Sequence, residues 1–400
     1  MKVLLHKFIA LACAAACAAA AGLTACTSGD AGENSGNGGN GGGNAPVTHS
    51  ADTYLVDGTT DEYHWHNFAD GKCTMCDETT IFEEQPVGGG DLIDRKSEYP
   101  GTLQKITYST RSYIGEALYA EELNGAQIPM EKSAWVYLPY GYDAEDDQTK
   151  YNVLYLLHGN GQNEEYWFAR STPGEGQFTP DSNAYTKGYG TENILDYLME
   201  EGLAERTIVV TPTFYSTTEE YPIDKDNWRT TKYFGQELIN DLMPYVAENF
   251  NTYAADGSAE SLKAARDHQG YAGLSMGSVT SFTSIWSYCL EYFAYIGSLS
   301  AGANSPEGDD FTAHIIAAKI GEYGDCDIMY WYVSSGTREN PESKFLSTYI
   351  PFVQQINGLQ HGSDIASGDN CEFMTIQGTA HNYATWITDL YNFMQVFYKA

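Results

Sequence analysis

Residues 270–277 read Gly270-Tyr271-Ala272-Gly273-Leu274-Ser275-Met276-Gly277, an apolar strand that turns abruptly at a GxSxG pattern toward a helix. Glycines on either side of a serine remove the Cβ atoms that would block a tight strand-to-helix turn, and the turn lifts the hydroxyl above the sheet edge. Backbone N–H groups of the first helical turn then point at the same spot. Ser275 is therefore the candidate nucleophile. In a chain with 40 Gly among 400 residues the pattern alone is weak, but it occurs only here.

A nucleophilic serine needs a base, an orienter for the base and an oxyanion hole. In the α/β-hydrolase fold the chain order is serine, acid, histidine. Three histidines follow Ser275. His314 falls in a predicted helix over Phe311 to Ile320, and His361 in the polar loop Gly358 to Asp369. Only His381 follows an apolar strand, Phe373-Met374-Thr375-Ile376, through the short turn Gly378-Thr379-Ala380, so it is the expected base. The acid should end the preceding strand. Ile328 to Val333 runs into the loop Ser334 to Asn340, whose only carboxylate is Glu339. The competing reading of Glu339 is a solvated partner for Arg338. Glu342 is the fallback acid, and Asp327 lies at the wrong strand end.

The oxyanion hole requires the N–H after the nucleophile, here Met276, and a second N–H from the loop after the third strand. Val153-Leu154-Tyr155-Leu156-Leu157 reads as a buried parallel strand ending in His158-Gly159-Asn160-Gly161. Gly159 or Asn160 is the expected second donor. His158 precedes Ser275, against the required order, and is read as a structural histidine shaping this loop.

Alternating apolar and helical patterns predict an α/β domain over residues 101–400, with a mostly parallel central sheet and helices on both faces. Helices are expected over Glu192 to Glu201, Gly235 to Asn249 and Tyr383 to Tyr398, and strands over Thr207 to Thr213 and Phe293 to Ser298. Ser171 to Gly190, rich in Gly, Pro and Tyr, is expected to overhang the site as a lid or substrate wall.

These residues also carry a family likeness. Ala134-Trp135-Val136-Tyr137-Leu138-Pro139-Tyr140-Gly141-Tyr142-Asp143, Tyr155-Leu156-Leu157-His158-Gly159, Ala272 to Gly277 and Gly378 to Trp386 resemble the feruloyl esterase and enterochelin esterase group of α/β-hydrolases. The likeness is greatest to the feruloyl esterase domains attached to bacterial xylanases, and it covers roughly Gly101 to Ala400. It implies a serine esterase acting on hydroxycinnamoyl esters of arabinoxylan, a plant cell-wall polysaccharide, or on feruloylated oligosaccharides. The triad and its backbone donors already supply nucleophile, base and charge stabilisation, so no cofactor is expected for catalysis. The family places its acid after a Gly-Thr pair, matching Gly336-Thr337 before Glu339, although Asp is more usual there. Ser278 replaces the Gly that often follows Ser-Met-Gly. Acetyl-xylan hydrolysis, another acyl esterase or acyl transfer are the alternatives within the chemistry. The alternative of another class is a surface glycan-binding protein that holds its ligand uncut. An enterochelin-type ligand, triply anionic, suits a basic site better than this acidic chain.

The chain carries a formal net charge of −33, which argues against nucleic-acid partners, since these demand a basic face. Its 31 Tyr, 16 Phe and 7 Trp supply flat faces for sugars or cinnamoyl groups as well as core. Lys2 and Lys7 precede an apolar run from Phe8 to Ala21, shaped like a secretory signal and too short for a membrane span. Leu23-Thr24-Ala25-Cys26 resembles a bacterial lipobox, so residues 1–25 read as a lipoprotein signal peptide with Cys26 the lipid-modified residue. That predicts an extracytoplasmic enzyme anchored to the cell membrane by lipid. Residues 26–50, rich in Gly and Asn, read as a flexible tether.

Residues 51–100 form a small appended element with His64, His66, Cys73 and Cys76. The Cys73–Cys76 spacing suits a structural zinc site with His66, or alternatively His64, as third ligand; the rival is a local disulfide or a reduced pair. Cys326 and Cys371 each stand just before one of the last two strands, and a disulfide between them is expected. Cys289 reads as a buried thiol.

Overall fold

The computed structural model describes residues 53–55, 62–64, 68–69, 72–73, 87–168, 189–300, 328–339, 359–360, 362 and 364–399. All of these belong to one compact unit, Thr48–Ala400. Two short antiparallel hairpins come first: β1 (Thr53–Leu55) with β2 (Glu62–His64), and β3 (Phe68–Ala69) with β4 (Lys72–Cys73). The main domain follows with β5 (Thr102–Arg111), α1 (Tyr113–Leu118), α2 (Ala120–Leu123), β6 (Pro129–Leu138), β7 (Asn152–Leu157), α3 (Thr191–Glu200) and β8 (Thr207–Thr211). Next, α4 (Arg229–Glu237) passes through a π-helical turn, Leu238–Leu242, into α5 (Met243–Asn249), followed by α6 (Ala259–Ala264) and β9 (Gln269–Leu274). Then α7 (Met276–Thr280) continues as a π-helical stretch, Ser281–Cys289, before β10 (Tyr295–Leu299), β11 (Tyr330–Gly336), β12 (Cys371–Ile376) and α8 (Tyr383–Met394).

The eight strands β5 to β12 form one sheet in the order β12-β11-β10-β9-β7-β8-β6-β5. The six from β12 to β8 run parallel, and the β5–β6 hairpin joins antiparallel at one edge. Successive residues of β7 feed opposite layers, as strand periodicity requires. Val153, Tyr155 and Leu157 pack on one side with Phe234, Leu238, Met243 and Trp286 from α4, the π-helical turn after it, α5 and the helix after Ser275. Leu154 and Leu156 pack on the other with Ile194 and Leu195 of α3 and Trp386 and Leu390 of α8. A strand covered on both faces must be apolar throughout, hence the unbroken run in β7. The edge strand β5 is wet on one side: Ile106, Tyr108 and Thr110 are buried while Lys105, Thr107 and Ser109 are exposed.

The expected elements that fall among the described residues stand with shifted ends, and the helix expected over Phe311 to Ile320 lies outside them. β11 extends through Ser334-Ser335-Gly336, read from sequence as loop, because these polar residues pair in register with Met374, Thr375 and Ile376 of β12. The helix expected from Gly235 starts at Arg229. Cys371, one half of the expected disulfide, is a free thiol buried in the core layer that also holds Trp331 and Phe373. Its intended partner, Cys326, lies outside the described residues, as do His314, Asp327, Glu342, His361 and residues 171–188. Cys289 is a buried free thiol, as expected.

Candidate active site

Ser275 sits between β9 and α7 with φ 51° and ψ −115°. A non-glycine residue in this region costs on the order of 1–3 kcal/mol and persists only where its surroundings enforce it. The enforcement is visible. A Cβ on Gly273 would meet the Gly277 carbonyl carbon at 2.5 Å, and one on Gly277 would meet the His158 oxygen at 2.7 Å. The turn is also tied to the sheet, since the Ser275 N–H donates to the Leu299 carbonyl at 2.9 Å.

The structure brings Ser275, His381 and Glu339 into one hydrogen-bonded chain. His381 Nε2 lies 2.9 Å from Ser275 Oγ, and His381 Nδ1 lies 3.0 Å from Glu339 Oε2. Glu339 Oε1 accepts the Ser300 hydroxyl at 2.6 Å and the Gly336 N–H at 2.7 Å. Its carboxylate is therefore spent inside the fold, and Glu339 is only 7% exposed, unlike a solvated loop glutamate. The loops bearing acid and base are stitched together. Thr337 N–H donates to Ile376 O, Arg338 N–H to Thr379 O, and Gly378 N–H to Thr337 Oγ1. The buried Trp386 ring meets the His381 ring edge-on, with centroids 5.2 Å apart, and fixes the imidazole plane.

On the oxyanion side, Met276 opens α7, so its N–H has no partner within the helix. Gly159 lies against the nucleophile: a Cβ there would reach Ser275 Cβ at 3.0 Å. The Gly159 N–H, one of the two expected second donors, is instead engaged by Gln162 Oε1 at 2.7 Å. Among the described residues the Asn160 N–H has no acceptor, so of the two expected donors it is the one left available. His158 is buried, with Nδ1 2.7 Å from the Gly159 oxygen and Nε2 2.8 Å from Thr213 Oγ1. Burial pushes its pKa down to about 4, so the ring is neutral, donating from Nδ1 and accepting at Nε2. It shapes the loop.

Sequence reasoning missed Ser300, Gln162 and Trp386 as supports. Ser300 carries the one available signal, a polar residue just past the end of an apolar strand next to the nucleophile strand. The proposed zinc ligands His66 and Cys76 lie outside the described residues, and of Cys73 only the backbone is described, paired with Phe68. Cys26 also lies outside.

A strained serine at the tip of a central parallel strand, reached by an ordered Ser–His–Glu chain, defines a serine hydrolase of the α/β-hydrolase class. The model of one family, described as "Putative esterase", matches residues 126–394, and the chain belongs to that esterase family. The chain is 30% identical over 253 residues to endo-1,4-beta-xylanase Y of Acetivibrio thermocellus, covering 62% of this chain and 20% of that protein. It is 29% identical over 307 residues to an endo-1,4-beta-xylanase/feruloyl esterase of Xylanibacter ruminicola, covering 76% and 32%. It thus spans a third or less of those relatives' length. Among solved structures, a serine-to-alanine mutant of the feruloyl esterase module from Clostridium thermocellum, complexed with sinapinate, matches with TM-score 0.62 and 25% identity, covering 80% of this chain and 95% of that one. A ferulic acid esterase from the anaerobic fungus Anaeromyces mucronatus shares the fold, with TM-score 0.53, 21% identity and coverage of 79% and 98%.

Proposed function

We propose that this protein is a serine esterase that releases hydroxycinnamoyl groups, ferulate foremost, from arabinoxylan. The observation that carries the substrate class is the joint likeness, in sequence and fold, to the feruloyl esterase module solved with sinapinate, itself a hydroxycinnamate.

Ser275 Oγ attacks the ester carbonyl while His381 Nε2 takes its proton, and Glu339 stabilises the imidazolium through Nδ1. The carbonyl oxygen becomes an oxyanion facing the N–H groups of Met276 and Asn160. Collapse breaks the bond to the sugar oxygen, His381 returns the proton to that leaving group, and an acyl-Ser275 ester remains. Water, deprotonated by His381, then attacks the acyl carbon, and release of the carboxylic acid regenerates Ser275. Nucleophile, base and charge stabilisation all come from the chain itself, so the cycle requires no cofactor. Side-by-side rates on methyl ferulate, acetylated xylan and a short-chain nitrophenyl ester test the substrate class. Faster release of acetyl than of ferulate would overturn it.

The sequence at Leu23 to Cys26 supports lipid attachment at Cys26, which would tether the esterase outside the cytoplasm within reach of polymer too large to import. Among the described residues no helix is long and apolar enough to cross a membrane. The mass of the membrane-fraction protein tests the anchor: a diacylated or triacylated Cys26 at its N-terminus supports it, and an unmodified one contradicts it. In the appended element, Cys73, Cys76 and His66 are proposed as a small zinc site with a purely local structural role, and metal content separates it from a disulfide.

A further inference from the structure

We infer that Tyr215 is a positioning residue for ester cleavage, holding the backbone N–H of Asn160 in the oxyanion hole. Its hydroxyl makes two bonds to the loop that follows β7. It accepts the Gly161 N–H at 2.8 Å and donates to Asn160 Oδ1 at 2.9 Å, so one phenol brackets the Asn160 peptide. The other end of the Asn160 side chain is held too, Nδ2 donating to Asp226 Oδ1 at 3.3 Å. With Oδ1 on Tyr215 and Nδ2 on Asp226, the Asn160 side chain is tied at both ends, and its main-chain N–H is held in place with it.

The phenol is itself fixed. The Tyr215 ring packs against Phe214, with centroids 4.5 Å apart, and against His158 at 5.7 Å. The Tyr215 N–H donates to Thr213 Oγ1 at 3.3 Å, the same hydroxyl that bonds His158 Nε2. Thr213 is anchored in turn, because the buried Lys132 Nζ donates to its carbonyl at 2.6 Å while paired with Glu237. The loop after β7 is thus braced from below by His158 on Thr213 and from outside by Tyr215. Preorganisation is what makes an oxyanion donor effective, because a donor that must reorient during the reaction loses much of its advantage.

The test is Tyr215→Phe, which keeps the ring and removes only the hydroxyl. It rests on ester hydrolysis alone, so a nitrophenyl ester serves and the outcome is independent of whether ferulate is the natural acyl group. Removing an oxyanion donor outright typically costs about 10²–10³ in kcat. Loosening one should lower kcat roughly 10-fold to 100-fold, with KM within about two-fold and the melting midpoint unchanged. Affinity for a boronic acid that forms a tetrahedral adduct on Ser275 should weaken by a similar factor, whereas affinity for free ferulate should not move. Asn160→Ala removes the side chain that Tyr215 grips, so the double variant Tyr215→Phe/Asn160→Ala should lose no more than the worse single variant. Losses confined to KM, an unchanged boronate affinity, or multiplicative losses in the double variant would overturn the assignment.

Discussion

Ser300 Oγ donates to Glu339 Oε1 at 2.6 Å from a backbone held at φ 59°. Two strained serines therefore stand at adjacent strand ends, one offering the nucleophile and the other bracing the acid that serves it. A hydrogen bond to a charged group is worth about 1.5–3 kcal/mol. Ser300→Ala should lower kcat roughly 10-fold to 100-fold with little change in KM, measured by steady-state hydrolysis of a nitrophenyl ester. Equal turnover in the variant would show that Gly336 alone positions the carboxylate.

Glu339→Gln tests the tautomer that the acid imposes. An amide can present its N–H to Nδ1, which favours the imidazole form with its proton on Nε2, unable to accept from Ser275. A loss of about 10³–10⁴ in kcat is expected by analogy with triads neutralised in this way. Glu342→Gln, removing the other carboxylate considered from sequence, should leave kcat near wild type. The opposite ranking would move the acid to Glu342.

Asp389 of α8 is fully buried and accepts the Tyr332 hydroxyl at 2.9 Å. Burial raises its pKa to about 8, so it is protonated in the folded protein at neutral pH, whereas the unfolded chain ionises it near pH 4. The folded state then binds more protons than the unfolded one between these values. The contribution of Asp389 to stability is greatest below about pH 4 and is lost as pH rises toward 8. Asp389→Asn mimics the protonated form. Urea unfolding at pH 4 and pH 8 should show the variant gaining on wild type by several kcal/mol, of order 5, between the two. A pH-independent difference would contradict a protonated Asp389.

Ester cleavage should survive chelation. Full-length protein treated with a strong chelator should retain its kcat on a nitrophenyl ester, even if zinc is released from the Cys73 element. Loss of activity restored by zinc alone would tie the metal to the reaction.

Much of the site was legible because its constraints are local. The elbow at Ser275 needs glycines at fixed offsets, β7 needs an unbroken apolar run, and the chain order of the fold selects His381 and Glu339. The supports were not legible, because each depends on tertiary register. Ser300 reaches Glu339 across 39 residues, and Tyr215 reaches Asn160 across 55. Neither pairing leaves a spacing rule in the sequence. Gly159 lost its place as a candidate donor to Gln162, three residues on, whose side chain caps its N–H. The expected Cys326–Cys371 bridge has only one end among the described residues, where Cys371 is a free thiol. Cys371 turns into the apolar core.

The account stands on Ser275 as the nucleophile, and the most direct measurement is the turnover of Ser275→Ala on a chromogenic acyl ester, with folding checked by circular dichroism. The expected result is a native fold with hydrolysis reduced by about 10⁴ or more, toward the residual rate that binding and the oxyanion hole alone support. Wild-type-like turnover in a folded Ser275→Ala protein would contradict it.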